Sequence, residues 1–262
     1  MPVPKGISRH NKDELFRDMF PHDTPLTELV QHIFDENGNK LSIDKLLNGA
    51  DRQIWLKRLD NELGRLANGL PKEIIGTNTI GFIHKTCIPV GKKFTYSNMV
   101  CDIKPLKKEK HRVRLTIGGD KLEYMFDTAA PAASLIETKL LVNSVISDCH
   151  KNARFLTLDI KDLYLQTILH EKEYMKIHSK YFSEKFRKIY NLNDKINKDG
   201  YVYCEIRKGM YGLKQAAILA YKQLVANLKK HGYSPCEGSS GIWRHATRKT
   251  KFALCVDDFG VK

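Results

Sequence analysis

The chain has 262 residues, 42% hydrophobic and 28% charged, an ordinary balance for a globular protein with a sizeable core. Its 44 Lys and Arg against 30 Asp and Glu leave a net charge of +14, which points to a phosphate polymer and equally to a solvated basic surface. The six cysteines are scattered without a C-x-x-C pair, against a zinc site or a disulfide scaffold, and no apolar run is long enough to cross a bilayer.

Residues 1–50 are polar and weakly patterned and read as a leader, with a short helix over "HNKDELFRDMF". From residue 51 the pattern firms. Trp55, Leu59, Leu63 and Leu66 recur at helical spacing, and Gly69 can end that helix. "TIGFIHKTCIPV" has strand character. "FTYSNMVCDI" and "HRVRLTI" flank the basic tip "KPLKKEK" as a hairpin. In its second strand Val113, Leu115 and Ile117 alternate with Arg112, Arg114 and Thr116, so one face packs while the other presents guanidinium groups.

"SLIETKLLVNSVISDC" is an amphipathic helix capped by Ser134, with Leu135, Leu140, Leu141 and Val145 among its apolar positions. "ARFLTLDI" is a strand that stays apolar until Asp159, and a partly helical "KDLYLQTIL" follows. Residues 171–200 are polar and Lys-rich and read as a surface excursion. "YVYCEIRK" is a strand. "KQAAILAYKQLVANLKKHG" is the clearest helix, with Tyr221, Leu224, Val225 and Leu228 on one face and Gly232 past its end. "GIWRHA" and "KFALCVDDFGVK" are strands. Hairpins interspersed with helices give an α+β class.

The last segment sets two carboxylates, Asp257 and Asp258, in a run that is apolar on both faces and reads as well buried. Ionised carboxylates are costly there without compensation, and neighbours repel. A hard divalent cation resolves both costs; an exposed Asp-Asp turn is the plain alternative. Asp159 also ends an apolar strand, and its plain alternative is a helix cap. Three such carboxylates can converge on a metal pair about 4 Å apart, the arrangement of in-line phosphoryl displacement.

With these residues in hand, the chain from about Trp55 to Lys262 resembles a reverse transcriptase of the copia-type long-terminal-repeat retrotransposons. "LTLDIKDLYLQTIL", "RKGMYGLKQAAILAYKQL", "CVDDFGVK" and "HRVRLTIGGD" look like four of that family's segments, in the family's order. The resemblance implies a right-hand polymerase, with fingers and an antiparallel palm sheet backed by helices over residues 51–262. The thumb would be absent, and the chain would be a fragment of a larger polyprotein. It implies two magnesium ions, replaceable by manganese, on Asp159, Asp257 and Asp258. Arg112 and Arg114 would clamp a triphosphate, in an order the resemblance leaves open, and the "KPLKKEK" lysines would meet the template. Tyr164 would crowd a ribose 2′-hydroxyl, and Gln215 would touch the incoming nucleotide or the template. The implied partners are an RNA or DNA template-primer and deoxynucleoside triphosphates, inside the cell, in a cytoplasmic particle or the nucleus.

Cys255 stands where the family usually has a bulkier residue, and "KQAAILAY" lacks the Pro-Arg of many relatives. A second reading is a nucleic-acid-binding remnant without catalysis. A third, a two-metal nuclease, fits an adjacent Asp-Asp less well, because such sites use isolated carboxylates on separate elements.

Overall fold

The computed structural model describes residues 31–34, 38, 40–105 and 108–262. The helix expected over "HNKDELFRDMF" and the tip residue Lys107 lie outside them. In chain order the elements of the first half are β1 (Gln31–His32), α1 (Ile43–Leu47), α2 (Arg52–Leu66), β2 (Gly69–Leu70), β3 (Ile74–Ile75), β4 (Ile80–Ile83), β5 (Thr95–Ile103), β6 (His111–Ile117) and α3 (Leu135–Ser147). Then follow β7 (Leu156–Asp159), β8 (Ile168–His178), α4 (Glu184–Tyr190), β9 (Tyr201–Lys208), α5 (Ala216–Lys230), β10 (Tyr233–Pro235), β11 (Ile242–His245), β12 (Lys251–Cys255) and β13 (Asp258–Val261). The class is mixed α+β, as the pattern predicts.

The chain divides into two compact units, Met1–Arg58 with Val100–Arg114, and Leu59–Met99 with Leu115–Lys262. This division differs from a leader ending at residue 50. In the first unit α1 is capped by the Ser42 side chain and buries Ile43, Leu46 and Leu47, so packed structure begins inside the expected leader. Trp55 is 2% exposed and meets the His111 ring edge to face. Buried Asp102 faces Arg114, whose Nη2 lies 3.5 Å away, and Lys40, whose Nζ lies 3.6 Å away. Strand β6 alternates as expected: Val113 is buried between half-buried Arg112 and Arg114.

In the second unit, one sheet runs β5-β8-β9-β4. Strands β8 and β9 are antiparallel, with Met175 opposite Cys204, and β5 joins β8 in parallel through Thr95 and Met175. Leu59, Leu63, Leu66, Ile80, Met175, Ile177, Phe186 and Ile206 are fully buried. Residues 171–200 are therefore not a surface excursion. Tyr174, Met175 and Ile177 are buried in β8, and Phe186 fills the core from α4, stacked on Phe182 and Tyr190. The lysines conceal this because Lys172 and Lys180 are exposed and Lys176 is set between buried Met175 and Ile177.

The second sheet is ordered β10-β11-β12-β13-β7. Trp243, Phe252 and Leu254 form its core, covered by Tyr221, Leu224, Val225 and Leu228 of α5, the face the spacing predicts. Gly232 follows the end of α5 with φ +79°, in the left-handed region. Ser134 caps α3 in a full capping box. The inward face expected of α3 is only partly observed: Leu141 is buried, while Leu135 and Leu140 are exposed. Strand β7 is at the sheet edge, and its Leu156 and Leu158 are about half exposed.

The "GMYGLK" segment between β9 and α5 is held by close backbone approaches. The Gly209 amide donates to the Thr167 carbonyl at 2.7 Å, and the Ile117 amide donates to the Tyr211 carbonyl at 3.0 Å. Gly212 has φ +96°, and a Cβ there would lie 2.1 Å from the Ile117 carbonyl oxygen. Both the dihedral and the space demand glycine. We expect Gly212→Ala to cost about 2–4 kcal/mol in urea denaturation, from left-handed strain plus overpacking. Gly238→Ala, where φ is +73° and nothing lies within 4 Å, should cost only the strain, about 1–2 kcal/mol.

Candidate active site

The site is built on the β12–β13 hairpin. Cys255 pairs with Asp258, so Val256 and Asp257 alone form the turn. Val256 has φ +61° and Asp257 has no positive φ, the φ pattern of a type II′ turn, which normally takes glycine first. A β-branched residue there stores about 1–3 kcal/mol of strain. Burial of Phe252, Ala253 and Leu254 anchors the strand. The hairpin then leaves the core. Cys255, Val256 and Asp258 are exposed and Asp257 is half-buried, so the carboxylates sit at a rim and not on a well-buried strand as expected.

Strand β7 pairs antiparallel with β13, placing Asp159 directly opposite Asp258 and Leu158 opposite Phe259. The Ile160 amide donates to the Asp257 carbonyl at 2.9 Å. Hydrogen-bonded and non-bonded positions alternate along an antiparallel ladder. Asp159 and Asp258 therefore form the closer, non-bonded kind of pair, with Cα atoms about 4.5 Å apart and both side chains on one face. The Asp257 carboxyl is pushed above its ordinary value of 3.8, first by burial, against a backbone hydrogen bond, and further by the charges of Asp258 and Asp159. Both neighbouring carboxylates thus act on Asp257.

Tyr164 stands close by, in a short helical turn after β7. Its ring meets Tyr211 edge to face, with centroids 5.3 Å apart. Burial raises its hydroxyl pKa, and the charge of Asp257 adds to that. Gly209 admits this turn, because a Cβ there would lie 2.7 Å from the Tyr164 carbonyl oxygen. Gln215 heads α5 but is only 5% exposed, and its amide donates to Glu173 Oε1 at 3.2 Å. Its donor is committed to an internal partner. Arg112 and Arg114 belong to the first unit. The structure thus brings together Asp159, Asp257, Asp258 and Tyr164. Sequence reasoning missed Gly209, Tyr211 and Gly212 as the frame of Tyr164, although the G-x-x-G spacing was a readable signal.

The donors at this rim are hard oxygens, suited to a divalent cation of the magnesium type. Among the described residues no three His, Cys, Asp or Glu side chains stand ready as a complete metal cage. Magnesium needs only one or two carboxylates and keeps several waters, so the facing pair of Asp159 and Asp258 matches its requirements. Comparison with protein families, with curated proteins and with solved structures finds no match for this chain.

Two outcomes test this geometry. Val256→Gly relieves the turn, and its thermal midpoint should rise by an amount equivalent to about 1 kcal/mol, where Val→Gly in an ordinary strand lowers it. Asp257 binds its proton more tightly folded than unfolded, so its contribution to stability falls as pH rises from 3.8 through the raised folded value. Asp257→Asn should therefore melt higher than wild type at pH 7 in metal-free buffer, and the difference should vanish near pH 3.

Proposed function

We propose that this chain is an RNA-directed DNA polymerase domain, of the kind its segments resemble. The observation that supports this most directly is Asp159 facing Asp258 across β7 and β13, with Asp257 in the adjoining turn. Asp159, Asp257 and Asp258 would hold magnesium, or manganese in its place, which when bound would supply Lewis acidity for a primer 3′-hydroxyl and positive charge for a leaving pyrophosphate. The residues themselves place oxygen donors on one face at a solvent-open rim. The Tyr164 ring, braced by Tyr211, would crowd a ribose 2′-hydroxyl and favour deoxynucleoside triphosphates. Arg112 and Arg114, in the first unit, would each suit a phosphate as a fork-shaped donor. Gln215, held by Glu173, would act through the position of α5 and not by direct contact. The template-primer would meet the basic surface, within a larger polyprotein working inside the cell.

A second reading is binding of nucleic acid without catalysis. It draws on a groove of about 520 Å³ in the first unit, lined by Lys57, Arg58, Lys108 and Lys110.

Primer extension on a primed RNA template with manganese or magnesium distinguishes them. The polymerase reading expects incorporation that falls at least about 1,000-fold in Asp159→Asn, the scale of losing a preorganised electrostatic group. Retained, salt-sensitive oligonucleotide binding with no incorporation by either protein would leave the binding reading alone.

A further inference from the structure

Four residues, 160–163, connect Asp159 to the turn that carries Tyr164. Their geometry decides where both side chains point, and one of them is strained: Asp162 has φ +58°. Its carboxylate accepts a hydrogen bond from Arg65 Nη1 at 2.5 Å. Arg65 lies in the last turn of α2, 97 residues earlier. Its remaining donors fork onto Glu62, with Nε at 2.9 Å and Nη2 at 2.8 and 3.0 Å from the carboxylate oxygens. Glu62 is 6% exposed, and its Oε1 also accepts from the Leu115 amide at 3.1 Å. One guanidinium thus bridges a buried carboxylate, tied to β6, and the strained residue between Asp159 and Tyr164. All of these groups belong to the second unit.

The linker has further ties. The Ile160 amide is bound to the Asp257 carbonyl, the Lys161 carbonyl accepts from Gln166 Nε2 at 2.8 Å, and the Leu163 carbonyl accepts from the Gln166 amide and the Thr167 hydroxyl, both at 3.3 Å. All of these are local to the hairpin or to the turn that follows the linker. Arg65 is what fixes the linker to a helix whose Leu59, Leu63 and Leu66 are fully buried. Paired guanidinium–carboxylate forks impose direction as well as energy. We infer that Arg65 is a positioning residue for the proposed site: through Asp162 it sets Asp159 against Asp258 and holds Tyr164 at its station. This rests on the polymerase reading. Arg65 touches no substrate and acts only through the linker.

The test uses the full chain with Mn²⁺ alone, and then with nucleotides. Asp162→Asn keeps a residue that tolerates positive φ and removes the charge. Arg65→Lys keeps the cation beside Glu62 and removes the fork. Each should weaken Mn²⁺ binding roughly tenfold, the scale of losing an outer-shell partner. Each should also reduce the preference for deoxy- over ribonucleotides, an effect that a general loss of folded protein does not produce. A folded Asp162→Asn or Arg65→Lys protein with wild-type Mn²⁺ affinity and wild-type sugar preference overturns the inference and leaves the polymerase reading intact. Wild-type protein that binds no Mn²⁺ removable by Asp159→Asn sinks the polymerase reading, and this inference with it.

Discussion

The pairing of β7 with β13 places two carboxylates face to face, and the rest of the second unit has to hold that pairing. Like charges directly opposite each other on neighbouring strands oppose it. The compensation comes from beneath the same strands. Phe252 and Leu254 are buried with Trp243 under α5, and Phe259 and Val261 of β13 pack against them. Burial of a large apolar side chain is worth about 1.5–3 kcal/mol, so a few such residues outweigh the repulsion. The acidic rim is a cost that the core carries, together with the strained Val256 at the tip.

The frame around Tyr164 works by a different physical means. Gly209 and Gly212 let backbone approach backbone, the neighbouring Leu165, Met210 and Leu213 are buried, and the Tyr211 ring meets that of Tyr164. Close packing of this kind tolerates little movement, because even one added methyl group has nowhere to go. A rigid aromatic beside carboxylates that repel one another is a combination of a fixed wall and a loaded spring.

Much of this was legible in the residue order. The alternation in "HRVRLTI" and the helical spacing of Tyr221, Leu224, Val225 and Leu228 both describe the faces observed. They are legible because each lies on an amphipathic element with one core-facing side. The "KEYMKIH" stretch misled because its charged residues hide a strand in which Glu173, Tyr174 and Met175 are buried in succession, without a period of two, and α3 misled because an apolar stripe says nothing about what covers it. The carboxylate trio could be suggested from strand ends alone. Its register could not, since Asp159 and Asp258 are 99 positions apart and only the hydrogen-bond ladder decides which residues oppose. The Arg65–Asp162 contact was invisible for the same reason: it joins a helix to a turn through side-chain geometry, with no periodic trace.

The short length of β7 has its own consequence. Four residues give a strand little grip on its neighbour, and among the described residues no strand lies beside its outer edge. Sliding by one position would turn every side chain to the opposite surface. Leu158 would then stand where the acid belongs, and Asp159 would press toward grease. The molecule's chemistry is thus as fragile as its choice between two neighbouring alignments, and natural variation in this strand should be narrower in its spacing than in its apolar identities.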